Sequence, residues 1–165
     1  MRIFLTIPFL CLSAQILAQT TTSKVILSPS VTLTGIIENF DASRHKYDTC
    51  NSVDGWKSIC LIDGKVWFGS DAGLKFPRNQ LTRLSIAIGE QVIELEVTGM
   101  YNPSVENELR ANQFKFESQE VGYILYGYFS DGAGTYTAHW KIVKGKSIRQ
   151  VITNDERAFY WQREN

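Results

Sequence analysis

The sequence predicts an all-β fold, an antiparallel β-sandwich or barrel built from successive hairpins with at most one short helix. Three turn sequences support this prediction, because each lies between two segments with the apolar or alternating pattern of strands: Asp63-Gly64, Gly89-Glu90 and Asp131 to Gly134. About nine strands at this spacing are typical of an antiparallel domain. The pattern leaves both the sandwich and the barrel open.

The N-terminal residues have the pattern of a secretory signal peptide. Arg2 supplies a positive charge, an apolar run extends to Leu12, and Ala18 is the small residue expected before the cleavage site. The apolar run is shorter than the roughly 20 residues of a membrane-spanning helix, and no later uncharged segment reaches that length. We therefore expect a signal peptide over residues 1–18, no transmembrane segment, and a single exported β domain over residues 19–165. Its location would be the periplasm of a Gram-negative envelope or the extracellular space.

The composition excludes several classes of protein. The chain has 165 residues, of which 44% are hydrophobic and 21% charged, with 17 basic against 17 acidic side chains. These values are ordinary for a globular domain and do not fit a disordered acidic tail or a collagen-like repeat. The balanced charge also excludes a strongly basic nucleic-acid binder, so we expect no nucleic-acid partner.

The number of cysteines in the predicted exported domain agrees with export. Removal of the signal peptide deletes Cys11 and leaves Cys50 and Cys60 as the only cysteines. In an oxidising compartment two cysteines allow one pairing, which predicts a Cys50–Cys60 disulfide. The spacing lacks the Cys-x-x-Cys pattern of redox and metal sites, so the bond is interpreted as a structural link.

The N-terminal part of the exported domain begins with a polar lead-in, Gln19 to Ser23. Strands over 25–27 and 31–37 follow, separated by the turn sequence Ser28-Pro29-Ser30. Asp41 to Lys57 is polar and irregular, and it predicts a long loop held by the disulfide.

The hairpins have predicted registers. Around Asp63-Gly64, a type I′ turn places Leu61 opposite Val66 and Ile59 opposite Phe68. Around Gly89-Glu90, a type II′ turn predicts the pairs Leu84–Leu95, Ile86–Ile93 and, on the other face, Arg83–Glu96. Around the third turn the predicted pairs are Phe129–Tyr136, Gly127–Ala138, Leu125–Trp140 and Tyr123–Ile142.

The remaining elements are a helix and two strands. Asn102-Pro103 predicts a helix start, with one or two turns over 105–111. Phe114 and Phe116 alternate with charged residues as in a strand, and Lys144-Gly145 turns the chain into a last strand over 147–153. Asn154 or Asp155 then caps a short turn toward Phe159, Tyr160 and Trp161.

The chemistry-bearing residues form no catalytic or metal-binding motif. The two histidines, His45 and His139, fit a solvated loop position and a partly exposed sheet position. Glu94 and Glu96 share a strand face but are interpreted as part of a solvated surface. We expect no cofactor, no metal site and no catalytic residue.

The aromatic residues are the candidates for partner binding. Tyr126 and Tyr128 lie on the face directed away from the apolar core, beside His139, and Tyr offers a large contact area at low entropic cost. The alternative is that a second sheet covers this face. Trp56, near the disulfide, and Tyr47, in the predicted loop, are further candidates. So is the aromatic cluster near the C-terminus, Phe159, Tyr160 and Trp161.

Two function classes remain. The first is a non-enzymatic exported protein-binding module, such as an inhibitor or immunity-type protein that neutralises an envelope-acting partner. The second is a secreted carbohydrate-binding domain or a small cell-wall hydrolase. A flat or convex aromatic patch would favour the first class, and a concave groove lined by Tyr126, Tyr128 or Trp56 with two carboxylates would favour the second.

Overall fold

The computed structural model describes residues 19–51, 53–70, 73–130, 132 and 134–162. The predicted signal peptide, residues 1–18, lies outside this part of the chain. The described strands are β1 (Thr20–Ser28), β2 (Val31–Asn39), β3 (Tyr47–Asn51), β4 (Lys57–Ile62), β5 (Lys65–Val66), β6 (Asn79–Ile88), β7 (Gln91–Leu95), β8 (Phe114–Ser118), β9 (Tyr123–Phe129), β10 (Tyr136–Val143) and β11 (Lys146–Thr153). Short 3-10 helices span Ala42–Arg44, Ala111–Gln113 and Glu156–Gln162.

Two four-stranded antiparallel sheets form the body of the fold and confirm the predicted all-β class. Their strand orders are β1-β2-β6-β7 and β11-β10-β9-β8. Among the described residues no strand of one sheet pairs with a strand of the other, and their inner faces share one apolar core, so the fold is a sandwich. The largest fully buried core side chains are Trp140, Tyr136, Phe129, Leu33, Ile37, Leu84, Ile86, Met100, Leu125 and Ile142.

The first strand begins earlier than the sequence predicted. Residues 20–23 belong to β1 rather than to a polar lead-in, because they pair with β2 and direct Ser23 inward. The buried Ser23 Oγ accepts a hydrogen bond from the Leu109 amide at 3.0 Å. A tertiary hydrogen bond therefore satisfies this polar side chain inside the core.

The β6–β7 hairpin has the predicted apolar register, with Leu84 opposite Leu95 and Ile86 opposite Ile93. The predicted Arg83–Glu96 pair is wrong, because β7 ends at Leu95 and Glu96 leaves the ladder. Arg83 instead binds its diagonal neighbour Glu94, with 3.1 Å between Nε and Oε2.

The second sheet is a meander with the register predicted for its central hairpin. Phe129 faces Tyr136, Leu125 faces Trp140 and Tyr123 faces Ile142. Strand β8 pairs with β9, and β11 returns along β10 after Lys144 and Gly145, both of which have positive φ. Because side chains alternate between the two faces of a strand, the sequence was sufficient to identify which face of the central hairpin packs in the core.

The third sheet has the order β3-β4-β5 and covers a second, smaller apolar cluster. Its cluster contains Ile59, Ile62, Trp67 and Tyr101, with Phe40 packed against it. The predicted long loop over Asp41 to Lys57 is wrong in part, because Tyr47–Asn51 forms an edge strand paired to β4. The disulfide between Cys50 and Cys60 is confirmed and links these two strands, with 5.7 Å between the Cα atoms.

The β4–β5 hairpin has the predicted turn but is shorter than predicted. Asp63 and Gly64 both have positive φ, as a type I′ turn requires, and Leu61 faces Val66. The Ile59–Phe68 pair is wrong, because β5 ends at Val66 and Phe68 bridges to Met100.

The predicted helix over 105–111 is wrong. Asn107 has a φ of 57°, which interrupts a right-handed helix, and the Leu109 amide is bonded to Ser23 rather than within the segment. Only Ala111–Gln113 forms a single 3-10 turn. In the part of the chain that the structure describes, no helix is long and apolar enough to cross a membrane.

Candidate functional site

The outer face of the second sheet does not present Tyr126 and His139 to solvent. Both side chains are 8% exposed, and their rings meet edge to face at 4.8 Å between centroids. The indole of Trp161, itself 1% exposed, lies over Tyr126 with 5.7 Å between ring centroids. This face is therefore covered at Tyr126, which is the alternative that the sequence left open, and the partly exposed position predicted for His139 is wrong.

The C-terminal 3-10 helix, Glu156–Gln162, covers this face. The sequence left open a different cover, a sheet packed on the same face. The Asp155 carboxylate accepts a hydrogen bond from the Arg157 amide at 3.0 Å, which is the cap predicted for this turn. Burial of large rings on the outer face provides the driving force for docking this segment.

Burial shifts the pKa of both covered residues toward the neutral form. It lowers the pKa of His139, which favours the neutral imidazole. Burial, together with a hydrogen bond to Tyr160, raises the pKa of Tyr126 to about 12. Neither group has the exposure expected of a partner-binding residue.

Tyr128 is half-buried and lines a surface groove. Its ring packs edge to face on Phe159, with 5.6 Å between centroids. The groove has a volume of about 420 Å³ and lies between residues 104–113, β9 and the end of the C-terminal helix. Two carboxylates, Glu106 and Glu108, are among its lining residues.

Trp56 and Tyr47 are exposed, at 77% and 52% of their surface. Trp56 lies in the connection between β3 and β4, which the disulfide closes, and Tyr47 begins the edge strand β3. The structure thus places these two candidates on one small sheet, separate from Tyr126 and His139. Their role in partner binding stays a prediction.

Exposed apolar side chains are concentrated around this sheet. Six of the twelve large exposed hydrophobic residues in the described chain fall within residues 47–76. We refer to this group as the small-sheet set: Tyr47, Val53, Trp56, Val66, Leu74 and Phe76. Exposed apolar side chains are typical of interaction sites where they form a patch, and within this set Tyr47 and Phe76 touch, with 4.8 Å between ring centroids.

An imidazole–carboxylate pair lies beside the small sheet and was not predicted. His45 Nδ1 donates to Asp63 Oδ2 at 2.7 Å, and the His45 ring stacks on Phe40. This bond, and a second from the Lys46 amide, hold the pKa of Asp63 below its usual value. Since 18 residues separate the partners, the sequence contained no local signal for this contact.

The other carboxylates considered as catalytic candidates have structural partners. Glu94 binds Arg83, and Glu96 accepts a hydrogen bond from the Thr98 amide at 2.6 Å. Within the described ranges, no group of three or more His, Cys, Asp or Glu side chains is placed to hold a metal ion.

Comparisons of the chain with protein-family models, with curated proteins and with solved structures gave no match.

Proposed function

We propose that the protein is an exported, non-enzymatic protein-binding module that presents the small-sheet set to a protein partner. An inhibitor or immunity-type protein that neutralises an envelope-acting partner fits this description. The observation that carries the proposal is the exposure of Trp56 and Val53 in a connection closed by the Cys50–Cys60 disulfide. Export is supported by the disulfide and by the predicted signal peptide.

The chemistry of this connection suits a binding anchor. A tryptophan side chain buries roughly 150–250 Å² when it is covered, and Trp is enriched among the residues that dominate binding energy. The disulfide limits the conformations of the strands on either side, so less entropy is lost when a partner orders the connection. An indole that is 77% exposed favours a protein partner over a small ligand, which would bind in a pocket.

The edge of β3 adds polar contacts to the apolar ones. All five residues of β3 are exposed, and β3 is the outer strand of its sheet. The extra residue of the bulge between Asp48 and Thr49 lies on β4, so β3 keeps a regular extended backbone. An outer strand offers backbone donors and acceptors to a partner.

The test is affinity capture with the full chain, tagged after Asn165 and recovered from the envelope with its disulfide formed. We expect one envelope protein to be recovered in stoichiometric amount. Trp56→Ala should reduce its recovery at least tenfold. The control is Ile148→Ala, which removes a 70% exposed apolar side chain from β11 and should leave recovery unchanged.

Two results would contradict the proposal. One is equal recovery of the partner protein with Trp56→Ala and with Ile148→Ala, which would show that binding does not depend on the small-sheet set. The other is the absence of any stoichiometric protein partner. The alternative predicted from the sequence, a carbohydrate-binding domain or cell-wall hydrolase, requires a concave groove with an aromatic residue and two carboxylates. The groove at Tyr128 has these features, since Glu106 and Glu108 also line it.

A further inference from the structure

The groove at Tyr128 continues into a neighbouring hollow. The two depressions share Tyr128 and Gln162, and the second, of about 350 Å³, extends to Thr135, Glu156 and Phe159. The first, of about 420 Å³, falls within the roughly 300–1,000 Å³ of small-molecule sites. Together they make one surface depression, and the Tyr128–Phe159 ring pair lies in its wall.

The outer wall of the groove is held in place by one glutamine. Gln113 Oε1 accepts from the Arg110 amide at 2.8 Å, and Gln113 Nε2 donates to the carbonyls of Pro103 at 3.0 Å and Tyr128 at 3.1 Å. This side chain therefore ties the irregular segment 103–113 to β9. A wall fixed before binding loses little entropy when a ligand arrives.

Two further contacts fix the ends of the wall. Ser104 Oγ accepts from the Glu108 amide at 3.0 Å, and the Leu109 amide is bonded to Ser23 in the core. At the opposite wall, Gln162 Nε2 donates to the Asn112 carbonyl at 3.3 Å. Hydrogen bonds between segments far apart in sequence therefore hold the walls of the groove in position.

The polar groups along the groove suit hydroxyl groups. Glu106, Glu108, Arg110 and Asn112 are all exposed and carry planar carboxylate, guanidinium or amide groups, each able to bond two neighbouring hydroxyls. Glu106 pairs with Arg110, which leaves Glu108 and, in the adjoining hollow, Glu156 as uncompensated carboxylates among the lining residues. An anionic ligand is disfavoured by this charge.

We propose that this depression binds an oligosaccharide that carries no negative charge, either neutral or amine-bearing. The Tyr128 ring, fixed on Phe159, provides the apolar surface for a sugar ring, and the planar side chains of the outer wall bind its hydroxyls. The two adjoining depressions, of about 420 and 350 Å³, provide space for more than one sugar unit. The site shares no residue with the small-sheet set, so separate variants can test the two proposals.

An extended peptide is the less suitable ligand. A peptide would need a free strand edge for its backbone or apolar pockets for its side chains. The outer wall is an irregular segment whose amides at Glu108, Leu109 and Arg110 are already bonded to protein oxygens. Its free groups are side-chain carboxylates and amides, which match hydroxyls.

The experiment is isothermal titration calorimetry of the full exported chain with defined tetrasaccharides. The neutral probes are chitotetraose, cellotetraose and maltotetraose, the amine-bearing probe is the chitosan tetramer, and the anionic probe is tetragalacturonate. We expect saturable binding of at least one neutral or amine-bearing probe and at least tenfold weaker binding of the anionic probe.

Two pairs of variants locate the site. Tyr128→Ala removes the ring platform, and Asn112→Ala removes an exposed amide of the wall without touching the core. Each should weaken binding about tenfold. Their matched controls, Tyr47→Ala in the small-sheet set and Asn39→Ala at the exposed end of β2, should bind as the unaltered chain does.

Several results would overturn the proposal. They are the absence of binding to every neutral and amine-bearing probe, unchanged affinity in Asn112→Ala, or equal affinity for tetragalacturonate. Saturable binding of casein-derived peptides in place of the sugars would assign the groove to peptides. If Tyr128→Ala fails to fold, the comparison of Asn112→Ala with Asn39→Ala still decides the outcome. Failure here leaves the Trp56 experiment unaffected, because the two sites share no residue.

Discussion

The indole of Trp161 lies over the phenol ring of Tyr126, with 5.7 Å between the ring centroids and 34° between the ring planes. Thirty-five positions separate the two residues in the chain. This contact joins the C-terminal 3-10 helix to the outer face of the second sheet, and it decides which aromatic side chains reach solvent.

Trp161→Ala should therefore destabilise the protein strongly. The substitution removes a fully buried indole, and truncations of this kind typically cost about 3–5 kcal/mol in the free energy of unfolding. Urea unfolding followed by circular dichroism measures the loss. Tyr160→Ala, which truncates an exposed neighbour, is the control and should cost clearly less. Equal losses for the two variants would contradict the packing described for Trp161.

The raised pKa of Tyr126 predicts a loss of stability in alkaline solution. An unfolded tyrosine ionises near pH 10, whereas folded Tyr126 stays neutral up to about pH 12, so the unfolded state gains stability over this interval. Relative to Tyr126→Phe, the unaltered protein should lose free energy of unfolding from pH 10 and reach a constant difference near pH 12. Urea titrations of both proteins at half-unit pH steps test this. A difference independent of pH would count against a buried neutral phenol.

The lowered pKa of His139 predicts the opposite dependence in acid. Above pH 6.5 the imidazole is neutral in both states, and no stability is lost. As the pH falls below 6.5, the unfolded state takes up the proton first, so the folded state loses stability until the lowered folded pKa is passed. His139→Leu should remove this part of the acid dependence. Parallel pH profiles for the two proteins would contradict the burial of His139.

The disulfide should stabilise the small sheet more than the sandwich. Closing a separation of 10 residues is worth about 2–3 kcal/mol by the chain-entropy relation. The Cys50→Ser, Cys60→Ser double variant should lose about this much free energy in the local unfolding of the small sheet. Hydrogen exchange should show faster exchange for β3 and β4 and unchanged protection for β9 and β10. Uniformly faster exchange in all strands would mean that the sheets unfold as one unit.

The core has no room for a side chain at Gly127. A Cβ atom at this position would lie 2.7 Å from Phe129 Cε2 and 3.1 Å from Trp140 Cζ3, both atoms of buried rings. Gly127→Ala should destabilise the protein by about 1–3 kcal/mol through overpacking. Thermal unfolding measures the change. Gly64→Ala is a poor control because of its positive φ, so Lys146→Ala at an exposed position of β11 serves as the surface comparison. A neutral effect at Gly127 would show that the neighbouring rings can move apart.

The registers of the hairpins could be read from the sequence. Side chains alternate along a strand and turn residues impose a local geometry, so Leu84, Ile86 and Leu125 could be assigned to the core without any long-range information. The Cys50–Cys60 bond followed as directly, since two cysteines allow one pairing. These features depend on residues close together in the chain or on simple counting.

The surfaces were decided by contacts between segments distant in sequence. Nothing near Tyr126 indicates that Trp161 covers it, and nothing near residues 105–111 indicates that Ser23 takes the amide of Leu109 and opposes helix formation. The His45–Asp63 pair and the groove walls depend likewise on how sheets and connections pack. The sequence by itself determined the strands of the hairpins, their inward faces and the disulfide, because period-two patterning and turn geometry are local. Only the tertiary structure decided which outward faces stay exposed, because that depends on where a distant segment finds apolar surface to bury.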